Sequence, residues 1–117
     1  MPLHVSAATV APGVIDSGDT ITITVNAHVD KDDARGGARY TLPEDMPVFF
    51  KLPTGQFKRV FAPEFRLKRV PKPVQTKLIV VATESSVAVP IDVEIADLDE
   101  TPPETLEKAV SIDVTVV

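Results

Sequence analysis

The chain has 117 residues, a formal net charge of −5, 44% hydrophobic residues and no cysteine. A chain of this length forms one domain whose core needs no cross-links, so we treat residues 1–117 as a single domain. The missing cysteines exclude disulfides, thiolate metal sites and thiol nucleophiles. No apolar run reaches the ~20 residues that span a bilayer, and the acidic balance disfavours nucleic acid as a partner. We therefore expect no membrane binding, and nucleic acid is a less favoured kind of partner than protein.

Alternating apolar and polar residues predict β-strands from the N-terminus onward. Residues 3–10 form a first strand that Pro12-Gly13 ends. Thr20–Val29 alternates without a break, with isoleucine and valine on one side and mainly threonine on the other. Successive side chains of a strand point to opposite faces, so this pattern predicts a half-buried strand with one face on a core. The polar turn at residues 16–19 gives that strand a sharp start.

The residues around the start of this strand resemble a known family opening. The matching pieces are Val10-Ala11-Pro12 with Val14, Gly18-Asp19, and Ile21-x-Ile23-x-Val25. Together they look like the opening of prokaryotic immunoglobulin-like modules, the β-sandwich domains of bacterial and archaeal surface proteins that also occur on phage particles. The chain departs from antibody-type domains in having neither a cysteine pair nor a core tryptophan. The resemblance implies a structural or adhesive role rather than catalysis.

The middle of the chain predicts a loop and then a hairpin. Residues 30–39 are polar and contain two adjacent glycines, which is typical of a mobile, solvent-exposed connection. Residues 47–52 and 56–61 form the two arms of the hairpin. Between them lies Pro53-Thr54-Gly55, in which proline presets φ and glycine accepts the left-handed conformation of a three-residue loop.

Further strands follow the hairpin. Residues 65–70 form a short basic strand or loop, which the two prolines of residues 71–73 end because proline is excluded from central strands. Residues 76–83 hold an apolar run typical of a strand that is covered on both faces or lies at an interface. Residues 87–96 alternate again, and Pro90 predicts a free edge near the start of that strand. The side chains predicted to face the core here are Val87, Val89, Ile91, Val93 and Ile95.

The C-terminal residues predict one helical turn and a last strand. Thr101-Pro102-Pro103-Glu104 has the pattern of a capping box with proline at the first helical position, so we expect a helical turn through about residue 108. Residues 110–117 alternate and form the last strand. In total, seven to nine short strands separated by turns predict an all-β, immunoglobulin-like β-sandwich with one short helical turn near the C-terminus.

Basic and acidic residues occupy different parts of the chain. Residues 51–77 hold eight bases and one acid, whereas residues 84–113 hold nine acids and one base. Opposite charges on one small domain predict a heterologous contact between subunits, in which apolar residues supply most of the affinity. The alternative is a monomer with an uneven surface. The predicted interaction surface comprises Lys58, Arg59, Arg66, Lys68, Arg69, Ile79, Val81, Asp92 and Glu94.

Two acidic segments predict a calcium site. In a sandwich of immunoglobulin connectivity, the segments at residues 30–39 and 97–105 lie at the same pole. Calcium takes about six to eight oxygen ligands, largely carboxylates and carbonyls, so the aspartates of the two segments have suitable chemistry. The alternative is two solvated acidic loops without an ion, and we expect no other cofactor. The predicted ligands are Asp32, Asp33, Asp97 and Asp99.

The five phenylalanines lie between Phe49 and Phe65, among the eight bases. Aromatic residues interleaved with lysine and arginine are used by single-strand binding grooves, in which phosphates are neutralised while bases stack. An oligonucleotide-binding barrel is therefore a rival to the sandwich. The simpler interpretation is a hairpin whose phenylalanines face a core and whose other face is basic.

We expect no enzymatic activity, because His4 and His28 are the only histidines and no hydrolase or metalloprotease motif is present. Our first expectation is a non-enzymatic structural component of a larger assembly, a capsid-decoration or tail protein of a virion, since the chain starts at Met1 and no signal peptide is visible. Its partners would be further copies of itself or other assembly subunits. The alternative is an immunoglobulin-like adhesion module of a cell surface, and a barrel that binds single-stranded nucleic acid comes third.

Overall fold

The computed structural model describes residues 3–117, which form twelve strands in two sheets packed face to face. The strands are β1 Leu3–Val5, β2 Thr9–Ala11, β3 Val14–Asp16, β4 Thr20–Val29, β5 Ala34–Thr41, β6 Val48–Lys51, β7 Phe57–Lys58, β8 Val60–Phe61, β9 Glu64–Leu67, β10 Lys72–Ala82, β11 Ser86–Asp97 and β12 Glu104–Thr115. Sheet one has the order β1-β4-β10-β6-β7, with β2 also on β4. Sheet two has the order β3-β12-β11-β5-β8, with β9 also on β5.

This strand order is that of an immunoglobulin-like sandwich. If β1, β4, β5, β6, β10, β11 and β12 are taken as strands A to G, sheet one contains A-B-E-D and sheet two contains C-F-G. The short strands β7, β8 and β9 are additions between D and E. The predicted fold class is confirmed, and two separate sheets rule out the rival barrel. Residues 3–117 contain no helix, so no helix in that range could cross a membrane.

The inner faces of the two sheets form one hydrophobic core. Ile23 of β4 is fully buried, with 0% exposure, and belongs to the same core as Val93 of β11 and Val114 of β12, as expected from the alternation. Burial of such side chains supplies most of the folding free energy. One polar link crosses this core, where the Tyr40 hydroxyl lies 2.6 Å from Oγ1 of Thr76. The core therefore joins the two sheets by both packing and a hydrogen bond.

The expected polar loop at residues 30–39 is wrong over most of its length, because β5 begins at Ala34 and pairs with β11 on one side. Its pattern alternates small and polar residues: Ala34, Gly36 and Ala38 face inward while Arg35 faces outward. A Cβ atom on Gly36 would lie 2.8 Å from Cε2 of Phe65 and 2.9 Å from Cγ of Leu67. Glycine is thus required by close packing within a strand, not by a turn.

The predicted helical turn is also wrong, because β12 begins at Glu104 and runs without a break through residue 108. Leu106 lies opposite Ile95 of the neighbouring β11, so these residues continue a long antiparallel ladder. The carboxylate of Glu104 accepts a hydrogen bond from the backbone N–H of Leu3, 2.9 Å away, and does not close a capping box. Pairing with β11 therefore overrides the local helix signal.

The strands β10 and β11 extend beyond their predicted limits. β10 begins at Lys72 and includes Pro73, which is possible because β6 pairs only with the far end of β10 and leaves Pro73 a free side. Val87 does not face the core: it is 75% exposed, since a register shift between Ser86 and Val89 displaces it. Pro90 has a partner in β12 but none in β5, so the free edge predicted there is confirmed.

The predicted hairpin is confirmed. β6 and β7 are antiparallel, the N–H of Leu52 donates to the carbonyl of Gln56 at 2.8 Å, and Gly55 has a φ of +86°. The second arm is split, because Val60 and Phe61 leave sheet one and pair with β5 of sheet two. The chain therefore crosses between the sheets at Arg59.

Candidate functional site

The outer face of sheet one carries a partly exposed apolar patch, which we call the aromatic patch and define as Phe49, Phe57, Ile79 and Val81. Phe49 lies opposite Val81, and both Ile79 and Phe57 lie opposite Lys51, so the four side chains point to the same face. Phe57 is 57% exposed. A depression of about 370 Å³ opens between the two phenylalanines and Val81. Two predicted contact residues, Ile79 and Val81, thus belong to one continuous surface with two aromatic rings.

Arg59 stacks on the Phe49 ring of this patch. Its guanidinium carbon lies 4.3 Å from the centroid of the Phe49 ring, and its Nη2 donates to the carbonyl of Met46 at 3.0 Å. The cation–π contact stabilises the packing of Arg59 on this ring. The Nε atom of Arg59 is buried and has no acceptor among residues 3–117. Lys58 lies at the open edge of the same sheet and is exposed.

The other bases of the predicted surface are neutralised within the chain. Arg66 and Lys68 both pair with the carboxylate of Asp33, and Arg69 lies 3.2 Å from the carboxylate of Asp32. Hydrogen bonds from Arg66 and then Lys68 lower the pKa of Asp33 to about 2, and the same contact raises the pKa of Arg66. These three bases, which lie in β9 or directly after it, are therefore paired with the loop before β5. Less of their positive charge is available to a partner.

The remaining aspartates proposed as calcium ligands are paired as well. Asp97, at the end of β11, is fully buried, and its Oδ2 lies 2.8 Å from Nζ of Lys31. Lys31 also contacts Glu100, and its contact with Asp97 is the main cause of the raised pKa of Lys31. Asp99 accepts a hydrogen bond from the backbone N–H of Arg35 at 3.0 Å.

The four predicted calcium ligands do lie at one pole, but each faces a lysine or an arginine. A calcium ion would have to displace those basic groups, so the calcium site stays a prediction. The paired residues are Asp32 with Arg69, Asp33 with Arg66 and Lys68, Asp97 with Lys31, and Asp99 with Arg35.

The two predicted acidic contact residues lie on the outer face of sheet two. Asp92 is opposite Thr41, and Glu94 is opposite both Arg39 and Glu107. Neither Asp92 nor Glu94 forms an ion pair with another residue of the described range. The acids of this face are thus open to a partner, on the side of the molecule opposite the aromatic patch.

The phenylalanines are divided between core and surface. Phe50 is fully buried, Phe61 and Phe65 pack against the core, and Phe49 is half-buried under Arg59. The hairpin interpretation, in which the rings face a core, holds for Phe50, Phe61 and Phe65, whereas Phe49 and Phe57 lie on the outer face of sheet one. A groove in which successive bases stack on several exposed rings is not formed by these five residues.

The structure contains a histidine pair that the sequence pattern did not predict. His4 of β1 lies directly opposite His28 of β4, their rings stack with centroids 4.4 Å apart, and Asp30 lies beside them. The alternation of β4 places His28 on the outer face, but only the register of β1 against β4 brings His4 to it. That register depends on the whole of sheet one and could not be read from residues so far apart.

No family model matches the chain, and no curated protein matches it. A function must therefore be argued from the surfaces described above.

Proposed function

We propose that the chain is a non-enzymatic structural component of a larger assembly, held together by contacts between its own copies. The observation that carries this proposal is the aromatic patch, because exposed apolar surface with aromatic residues is typical of protein contacts. Lys51 and Lys77 lie beside it on the outer face of sheet one. Asp92 and Glu94 lie on the outer face of sheet two, so these two acids are opposite in charge to the two lysines of sheet one.

A contact of sheet one with sheet two of the next copy is heterologous. Such contacts generate rings when the rotation closes and filaments when it does not. The N-terminal resemblance to immunoglobulin-like modules that occur on phage particles supports a virion as the context of such contacts. The assembly that we propose is a virion, with the chain as a tail or capsid-decoration subunit. The proposed role needs no cofactor and no catalytic group.

The test is the mass of the assembly for the wild type and for two single variants. Phe57→Ser removes the most exposed ring of the patch, and we expect sedimentation velocity to show a loss of oligomer. Val70→Ser is the matched control, since Val70 is 67% exposed and lies between β9 and β10, outside both the patch and the outer face of sheet two. Equal behaviour of the two variants would contradict the proposal. Negative-stain microscopy of the concentrated wild type should show rings or filaments.

The second candidate is a cell-surface adhesion module, which the same strand order would suit. Immunoglobulin-like sandwiches serve many unrelated roles, so the fold does not choose between the two. A wild-type chain that remains monomeric at every salt and at millimolar concentration would favour this second candidate. The aromatic patch would then contact a neighbouring domain or a different protein.

A further inference from the structure

We propose that His4, His28 and Asp30 form a binding site for a divalent transition-metal ion such as Zn²⁺. The two histidines are direct cross-strand partners on the outer face of sheet one. Their rings are stacked with an interplanar angle of 12°, and Nε2 of His4 lies 3.4 Å from Oδ2 of Asp30. One ligand atom from each of the three residues lies within 4.8 Å of the other two. This site is separate from the aromatic patch and does not depend on the proposed assembly.

The ligand types select the metal. Two imidazoles and one carboxylate suit zinc and neighbouring transition metals, whereas calcium and magnesium take oxygen ligands almost alone. A set of three protein ligands leaves one position of a tetrahedral ion open for water or another group. The site therefore differs in chemistry from the calcium site predicted at the aspartates of the same pole.

The geometry requires only side-chain rotation. Zinc–nitrogen bonds of about 2.0–2.1 Å place the ligand atoms of a tetrahedral ion roughly 3.3 Å apart. The three ligand atoms lie within 4.8 Å of one another, so any two of them must approach by at most about 1.5 Å. The side chains of His4 and Asp30 are 44% and 42% exposed, so rotation about their χ angles meets little resistance. The backbones are already fixed, since the ladder between β1 and β4 holds the two histidines opposite each other.

The charge environment distinguishes Asp30 from the other aspartates of the pole. Within residues 3–117, Asp30 has His4 as its ion-pair partner, whereas Asp32 and Asp33 face arginine or lysine. A metal ion can therefore take the carboxylate of Asp30 without displacing a permanently charged base. The histidines also border an open depression of about 450 Å³ with apolar walls formed in part by Leu106, which leaves room for an ion and its water.

The experiment is a calorimetric titration of the tag-free, chelator-treated chain with zinc chloride. We expect one zinc ion per chain, and zinc should raise the melting temperature of the wild type by mass action on the native state. His4→Asn, His28→Asn and Asp30→Asn should each weaken binding by about tenfold or more, since even residues that only orient a ligand typically contribute that much. Calcium at the same concentration should give no heat at this site.

Asp32→Asn is the matched control, because Asp32 is a nearby exposed aspartate that pairs with Arg69 and not with a histidine. Its affinity for zinc should equal that of the wild type. Absence of zinc binding at millimolar zinc, or unchanged affinity in either histidine variant, would overturn the site. Unchanged affinity in Asp30→Asn, or an equal loss in Asp32→Asn, would overturn the assignment of the carboxylate ligand. Circular dichroism of each variant verifies that the fold is retained.

Discussion

At the scale of single residues, the stability of the core depends on the hydrogen bond between Tyr40 and Thr76. The two hydroxyl oxygens lie 2.6 Å apart, and the bond joins β5 of sheet two to β10 of sheet one. Burial raises the pKa of the Tyr40 phenol, because the phenolate would lose its hydration, so the hydroxyl remains protonated. Tyr40→Phe leaves the Thr76 hydroxyl without its partner, and we expect the free energy of unfolding in urea to fall by about 1–2 kcal/mol.

The double variant of this pair tests the explanation. In Tyr40→Phe with Thr76→Val both polar groups are gone, so no unsatisfied hydroxyl remains in the core. We expect the double variant to lose less stability than the sum of the two single variants, because an unpaired buried group is more costly than an absent pair. Strictly additive losses would show that the hydrogen bond does not couple the two sheets.

Ile23 tests the packing of the core. Its side chain is fully buried between the sheets, so Ile23→Ala removes apolar contacts and leaves a cavity. We expect a loss of about 2–4 kcal/mol in the free energy of unfolding. Val14→Ala at the exposed edge strand β3 is the control and should change stability by less than about 0.5 kcal/mol. A loss below about 1 kcal/mol for Ile23→Ala would contradict the assigned inner face.

At the scale of elements, the packing of β5 against β9 depends on Gly36. An added Cβ would meet the side chains of Phe65 and Leu67 below normal contact distance, so Gly36→Ala must displace one of them. We expect a loss of about 1–3 kcal/mol by overpacking, measured by chemical denaturation. Gly13→Ala is the matched control, since a Cβ there meets no atom within 4 Å. If both variants have equal stability, β9 is not held against β5 as described.

The sequence predicted those elements whose pattern reflects burial directly. Thr20–Val29 alternates large apolar with polar residues, and Gly55 marks the turn of the hairpin, so both were found. The first part of β5 was missed because its inward residues Ala34, Gly36 and Ala38 are small and carry a weak hydrophobic signal although they are buried. Residues 104–108 were misassigned because a capping box is a local signal, whereas their pairing with β11 is a tertiary one.

The ion pairs beside β9 predict a dependence of stability on pH. The pKa of Asp33 falls from 3.8 to about 2 in the folded state, so its contribution is present above pH 3.8 and is lost as the pH falls through about 2. Asp33→Asn should therefore melt below the wild type at neutral pH, and the difference should shrink between pH 4 and pH 2. Asp92 has no ion pair in the described range. The difference in melting temperature between Asp92→Asn and the wild type should therefore not change between pH 4 and pH 2. A pH-independent difference would contradict the role of Asp33.

At the scale of the whole molecule, alternation and chain topology decide which charges can meet. The sequence predicted a basic and an acidic surface but could not predict that Arg66 and Arg69 are paired with aspartates across the β4–β5 loop. Likewise, His4 and His28 are brought together only by strand register, over a separation that no local pattern spans. Faces of single strands were thus predictable, whereas pairs formed between strands were not.

The proposed contact between the two outer faces can be tested by mixing two charge-reversed variants. One carries Lys51→Glu and Lys77→Glu on sheet one, and the other carries Asp92→Lys and Glu94→Lys on sheet two. If sheet one of each copy contacts sheet two of the next, each variant alone faces like charges across the contact, and we expect it to associate less than the wild type.

An equimolar mixture should recover the oligomer, because each reversed face then finds a partner of opposite charge. The loss in the separate variants should be larger at low salt than at high salt, since ions screen exposed charges over about 8–10 Å. Exposed charge pairs contribute only about 0–1 kcal/mol each, so they orient the contact while the aromatic patch supplies most of the affinity. Light scattering of the two variants, separately and mixed, measures both effects. Separate variants that associate like the wild type, or a mixture that stays dissociated, would show that these faces do not meet.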